Sequence, residues 1–434
     1  MAGRKKTRMP LDVFINGWLA GQLRRETSGA IDFQYASSWL AWENTFPVSL
    51  SLPLREDRYI GAPVVAVFDN LLPDNDQIRQ RLAARTRAQG TDAFSLLTAV
   101  GRDCVGALQF LPEGEAPSAS GMIEGRSLSD AEVAVILGDF GQAPLGVTAG
   151  GEFRISLAGA QEKTALLWWK DRWHIPHGST PTTHIFKPAI GRLASGIDLS
   201  ESIENEYLCL KLSKAIGLPS AEVAIAKFGD KLALVVERFD RRWTRDGRVL
   251  RLPQEDGCQA LSVPPSRKYE ADGGPGIAGL LELLKASDDP AADQRLLVKA
   301  QVFFWLLGAT DGHAKNFSLH LLPGGRFRLA PLYDIMSTQP CVDAGQLRHN
   351  QFKLAMAVGK NRHYIVDDVL PRHFVQTAGL AGVGKAAVDG ILAELADAMP
   401  RALEAVARSL PESFPSRLLD QITGGIQRRL RAIG

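Results

Sequence analysis

Residues 308–337, GATDGHAKNFSLHLLPGGRFRLAPLYDIMS, constrain the fold of this chain more than any other stretch. The segment before them, DQRLLVKAQVFFWLLGAT, repeats apolar residues at helical spacing and predicts a long buried helix. A loop leaving a buried helix starts from a fixed point, and Asp311 lies in that loop. SLHLL and RFRLAPLYD then read as two strands joined through Pro323-Gly324-Gly325, which predicts a hairpin. A hairpin returns the chain to where it began, so Asp334 is expected beside Asn316. Singly, these residues have plainer explanations: Asp-Gly is a common turn, and an aspartate often caps a helix. The ordered set of helix, Asp, Asn, hairpin and second Asp is much harder to obtain from turns alone.

Asn316 follows Asp311 by five residues. That is the spacing of a protein-kinase catalytic loop, in which the Asp orients or accepts a hydroxyl proton and the Asn binds Mg²⁺. Asn316 and Asp334 supply hard oxygen ligands, and phosphates and water would complete the shell. His313, inside the loop, either positions a phosphate or braces Asp311.

Upstream, from about residue 150, the chain reads as strands joined by tight turns, with one amphipathic helix, ESIENEYLCLKLSKAIG, stopped by Gly217 and Pro219. Lys187 ends the apolar strand TTHIFKP, the setting of the kinase lysine that holds the α- and β-phosphates. Glu206 shares a helix face with Ile203, Tyr207 and Leu210, so it points toward the sheet and can pair with Lys187; Glu204 is the alternative partner. SLAGAQEK (156–163) is a small-residue turn whose backbone N–H groups can approach phosphate oxygens, though it is neither G-x-G-x-x-G nor Walker A. After the strand LALVVERFDR, backbone at Glu237, Arg238 and Phe239 could meet an adenine, with Phe239 as a stacking surface; a strand end making ordinary lobe contacts is the alternative.

Beyond residue 255 the patterns are mainly helical, and a sheet-rich lobe followed by a helical lobe implies a cleft between them. The expected class is α+β, bilobal and kinase-like, with a β-rich N-terminal lobe and an all-α C-terminal lobe. It divides into a mixed subdomain at 1–145, the N-lobe at 146–254 and the C-lobe at 255–434. PEGEAPSASG (112–121) is the best linker candidate. The first 150 residues carry no identifiable chemistry.

The net charge of +2 provides no strong field toward nucleic acid or membrane. Basic residues cluster at the ends (Arg4, Lys5, Lys6 and Arg8; Arg428, Arg429 and Arg431), where solvated termini are the simplest reading. Four widely spaced cysteines suit reduced thiols and a cytoplasmic setting. The longest apolar runs, such as VFFWLLGA, fall well short of the ~20 residues a membrane span needs.

With these motifs assembled, the chain resembles the HipA-type toxin kinases of type II toxin–antitoxin modules over nearly its full length. The resemblance is carried by ISLAGAQEKTALL, THIFKP, NEYLCL, VERFDRRW, LPQEDGCQA, KYEADGGPGI, GATDGHAKNFS and LYDIMS. It implies an ATP- and Mg²⁺-dependent serine/threonine protein kinase. In that likeness Lys187 matches the ATP-phosphate lysine, Asp311 the catalytic aspartate, and Asn316 with Asp334 the Mg²⁺ ligands. Ala158, Gly159, Ala160, Gln161, Glu162 and Lys163 match the phosphate loop, and Glu237, Arg238 and Phe239 the adenine hinge. Ser156 matches a serine that such kinases autophosphorylate to silence themselves; a dianion on a loop facing phosphates would repel them. The resemblance also implies an aminoacyl-tRNA synthetase target, typically the glutamyl enzyme, and a small helix-turn-helix antitoxin, HipB, with which the toxin represses its own operon.

One departure bears on DNA. After PRHF (371–374) the chain runs VQTAGLAGVGK, which is poor in arginine, so operator binding is assigned mainly to the antitoxin. Two other readings compete: a pseudokinase-like corepressor, and a metal-dependent hydrolase centred on Asp311, His313 and Asp334. The intact acidic pair argues against the first, and the lack of further ligands at convincing spacing against the second.

Overall fold

A computed structural model describes residues 10–117, 122–138, 157–159 and 161–433. Ser156, Ala160, the basic residues before Pro10 and the expected boundary at 145/146 lie outside the described residues.

The first subdomain is built on an antiparallel five-stranded sheet. Its order is Tyr59–Ile60, Ile31–Tyr35, Trp18–Arg25, Leu11–Ile15 and Leu108–Pro112. Asn16 and Gly17 both take positive φ (47° and 90°), the geometry that lets a two-residue hairpin turn follow the strand twist. Helices Ala62–Asp69, Asp76–Thr86 and Ala93–Val100 complete it, and Phe33, Phe68 and Phe110 interlock in its core. The segments NDQIRQRLAARTR and DAFSLLTAVG supply the second and third of these helices, and GALQFLP supplies the last strand of the sheet.

A six-stranded sheet follows, ordered Val223–Phe228, Lys231–Glu237, His184–Lys187, Thr164–Trp169, Arg172–Pro176 and Gly125–Ser127. The helix Ser202–Ala215 packs against its first two strands. The edge strand Gly125–Ser127 belongs to this sheet and the helix Asp130–Gly138 packs against its first two strands, although both precede the residue-146 start expected for the lobe.

The helical lobe is organised around Pro290–Leu307. Asp289 caps its first turn by accepting from the Ala292 N–H, and Pro290 occupies a position where no N–H is needed. Every residue from Leu297 to Leu307 is buried. The helix ends at Gly308 in the left-handed conformation (φ 66°), where a Cβ would lie 2.5 Å from the Phe352 ring. Lys385–Ser409 and Ser416–Leu430 pack on it. Arg429 does not join a solvated tail: it is buried and donates to the Leu306 carbonyl and to Gln339, satisfying an orphan carbonyl at the end of the central helix. The expected hairpin is Ser318–Leu322 with Arg326–Leu329, and Gln254–Asp256 adds a third strand. No helix among the described residues is long and apolar enough to cross a membrane.

Candidate active site

A cavity of about 880 Å³ lies between the six-stranded sheet and the helical lobe. Strand, helix and hairpin each deliver one charged group to its floor. Lys187 sits at the end of His184–Lys187, opposite Leu234 in the neighbouring strand. Its Nζ donates to Glu206 Oε1 at 2.7 Å and to Asp334 Oδ1 at 2.7 Å. The helix face singled out by spacing is therefore the one that meets Lys187; Glu204, the alternative, makes no contact with it and is half-buried elsewhere.

Asp334 adopts φ 59°, a left-handed conformation that aspartate tolerates better than most residues and that turns its carboxylate toward the sheet. Burial alone would raise its pKa, but Lys187 and Lys163 hold the carboxyl well below the ordinary range. For Lys187, burial favours the neutral amine and the carboxylates of Asp334 and Glu206 more than reverse that, so it stays charged. Lys163 is different. Burial brings it down to about 8 against the pull of Asp334, and the charge of Lys187 adds to the fall.

The catalytic-loop candidates Asp311, His313 and Asn316 line the cavity together with Asp334. The Asn316 amide donates to the Asp311 carbonyl at 2.7 Å, which closes the loop and leaves the Asn316 oxygen for another ligand. Asp311 is more than half exposed, with the Tyr269 hydroxyl donating to its Oδ1 at 2.5 Å. His313 is buried, its Nε2 is 3.7 Å from Asp311 Oδ1, and Tyr269 stands edge-on to its ring. That distance exceeds a hydrogen bond, so bracing of Asp311 by His313 is not present in this arrangement. Burial lowers the His313 pKa, and neither ring nitrogen has a partner among the described residues.

The hinge candidates separate. Glu237 and Arg238 spend their N–H groups on the Glu222 and Thr183 carbonyls, whereas the Phe239 N–H makes no hydrogen bond among the described residues. The Phe239 ring packs against His320 and Tyr333 at the cavity wall. The Arg238 guanidinium turns away into a buried cluster with Asp103 and Asp240, so only its backbone faces the cavity. Of the phosphate-loop candidates, Ala158, Gly159, Gln161, Glu162 and Lys163 line the cavity.

Sequence reasoning missed Asp74, Lys268, Tyr269 and Lys315, all of which line the same cavity. Asp74 comes from the first subdomain, where Leu-Pro-Asp-Asn reads only as a turn. Lys268 and Tyr269 lie in KYEADGGPGI, a segment whose residues form no motif by spacing alone.

The donors present suit a nucleotide with Mg²⁺: two buried lysines, an amide oxygen and a carboxylate lining one cavity, and orphaned nitrogens on His313. Among the described residues no three His, Cys, Asp or Glu converge as a metal cluster, so a cation held by Asn316 and Asp334 would take its other ligands from phosphate or water.

Comparison with known proteins identifies the family. The family model "HipA-like C-terminal domain" matches residues 155–403, and "HipA N-terminal domain" matches 11–111. A putative kinase of Sinorhizobium fredii, Y4mE, is 36% identical over 93% of this chain and 92% of its own length. The serine/threonine-protein kinase toxin HipA of Shewanella oneidensis is 28% identical over 81% of this chain and 78% of its own. The solved complex of Shewanella oneidensis HipA with HipB and operator DNA aligns with a TM-score of 0.81 at 25% identity, covering 98% of both chains. The chain belongs to the HipA family of serine/threonine-protein kinase toxins.

Proposed function

We propose that this chain transfers the γ-phosphoryl group of ATP to a protein serine or threonine hydroxyl, with Asp311 as the catalytic carboxylate. The observation that carries the reading is Lys187, which bonds Glu206 on one side and Asp334 on the other and so joins sheet, helix and hairpin at one point. Lys187 and Lys163 bind the phosphates of the donor. Phe239 offers its free N–H and its ring edge to the adenine, with the backbone of Glu237 and Arg238 beside it. Asn316 and Asp334 hold Mg²⁺, which when bound offsets the charge on the transferring group. Asp311 orients the acceptor hydroxyl and takes its proton as oxygen bonds to phosphorus and the bond to ADP breaks. His313, neutral and buried, presents a nitrogen to the phosphates.

The finer family properties belong to the same proposal. Ser156 is the autophosphorylation site, an aminoacyl-tRNA synthetase the target, and a HipB-like antitoxin the partner through which operator DNA is mainly bound. A cytoplasmic setting follows from that target. The division into three units belongs to the same reading.

Labelled Mg·ATP supplied to the wild type and to Asp311→Asn, alone and with purified synthetases, tests the reading. Label on Ser156 or a synthetase, absent in the variant, is the expected result. Undiminished labelling by the variant would remove Asp311 from catalysis. No label from protein shown by mass to start unphosphorylated would favour a corepressor without kinase activity.

A further inference from the structure

The first subdomain reaches the cavity through the loop between Ala62–Asp69 and Asp76–Thr86. Asp74, in that loop, is used on both sides. Its backbone N–H donates to the Gly159 carbonyl at 3.1 Å, and Pro73 bridges Gly159 in parallel fashion. Its carboxylate accepts from Lys315 Nζ at 2.5 Å on one oxygen and from Lys268 Nζ at 2.9 Å on the other. All three side chains are nearly shielded from water: Asp74 is 10% exposed, Lys268 12% and Lys315 4%. From the next helix Arg81 adds an ion pair to Glu162 of the same phosphate-side loop.

Apolar residues of similar volume would brace two domains at less cost than a buried carboxylate between two lysines. What the charged arrangement adds is direction. Lys315 immediately precedes Asn316, and Lys268 immediately precedes Tyr269, whose hydroxyl donates to Asp311. Each arm of Asp74 therefore ends one residue from a group that faces the site, while its backbone holds the opposite loop.

We propose that Asp74 is a positioning residue for phosphoryl transfer: it sets the separation between the loop carrying Gly159 and the loop carrying Asp311 and Asn316. The inference rests on the kinase reading above. It makes the first subdomain part of the catalytic apparatus although that subdomain supplies no reacting atom. With both oxygens taken by lysines, Asp74 acts through its neighbours and not on substrate.

Asp74→Asn keeps the side-chain shape and the backbone N–H and removes the charge. We expect kcat to fall about tenfold or more while KM for ATP stays within about threefold, because the bond to Gly159 survives. Amides of residues 309–317 should exchange with solvent about fivefold faster or more. Asp74→Glu, which restores the carboxylate, should recover most of both, a rescue that generic destabilisation does not give. Should D74N fail to accumulate folded, the D74N/K268M double variant leaves no extra buried charge and should show the same loss. Wild-type exchange at 309–317 in the folded variant overturns the proposal whatever the activity, and so does a kcat within about twofold of wild type. Exchange does not depend on phosphate transfer. If wild type shown by mass to start unphosphorylated transfers nothing, the kinase reading fails, and exchange still decides whether Asp74 holds the loop of residues 309–317.

Discussion

Lys163 and Lys187 are both buried against the cavity, and their surroundings push them in opposite directions. Lys187 has two carboxylates at hydrogen-bond distance; Lys163 has none that close and titrates at about 8. A lysine whose folded pKa lies below its free value of about 10.4 binds protons less readily in the native than in the unfolded chain. Its contribution to stability therefore rises with pH between about 8 and about 10.4, where the unfolded state holds more protons. Nucleotide binding follows the opposite sign. Below about 8 the free protein already carries the charge that phosphates need, and above it binding must first take up a proton. ATP affinity should fall above about pH 8, by at most about tenfold per pH unit, and Lys163→Met should bind weakly without that step. Titration calorimetry across this range reads both; a flat wild-type profile would take Lys163 out of phosphate contact.

Elements decide how well such residues are aimed, and here the central helix Pro290–Leu307 matters most. It is wholly buried over its second half and stops at one glycine, three residues before Asp311. Gly308→Ala would place a Cβ in a left-handed conformation and against the Phe352 ring at 2.5 Å. The conformational cost is about 1–2 kcal/mol and the overlap adds to it, so a fall of several degrees in thermal midpoint is expected, read by circular dichroism. Transfer activity should fall further than stability does, because the displaced loop is the one that holds Asp311. An unchanged midpoint would mean the loop yields and does not fix the carboxylate. The same helix shows what the sequence makes legible. Its apolar spacing, the Pro-Gly-Gly hairpin after it and the Glu206 face of Ser202–Ala215 are local patterns, and local patterns survive reading one residue at a time. The side chain of Arg238 was not legible: a strand end next to a hinge looks the same whether its guanidinium faces a nucleotide or an acidic cluster from another subdomain.

At the scale of the whole molecule the contacts span distances that no local pattern records. Asp74 and Lys315 are 241 residues apart, and Asp103 and Arg251 are 148 apart. Asp103 stands in the first subdomain's loop and receives Arg238, Arg241 and Arg251 from the segment that follows the six-stranded sheet. Asp240 accepts from Arg238 and from the Gly106 N–H, and all five side chains are almost fully buried. Burial favours the neutral acid at Asp103, but the three guanidinium groups hold it far below the ordinary carboxylate range. Because this folded pKa is depressed, the stabilisation is complete above about pH 4 and is lost only as pH falls toward the folded value. Asp103→Ala leaves three buried guanidinium groups facing one remaining carboxylate. Breaking a buried network by removing one partner costs about 3–5 kcal/mol, and the cost should appear in denaturant unfolding at neutral pH. Arg238 belongs both to this cluster and to the hinge, so the loss should not stay in the first subdomain. A milder variant, Asp103→Asn, should remain folded and weaken ATP binding about threefold or more through the Phe239 backbone, with kcat less affected. If Asp103→Asn loses stability yet binds ATP as the wild type does, the cluster only staples the subdomains together and the hinge is set by the sheet alone.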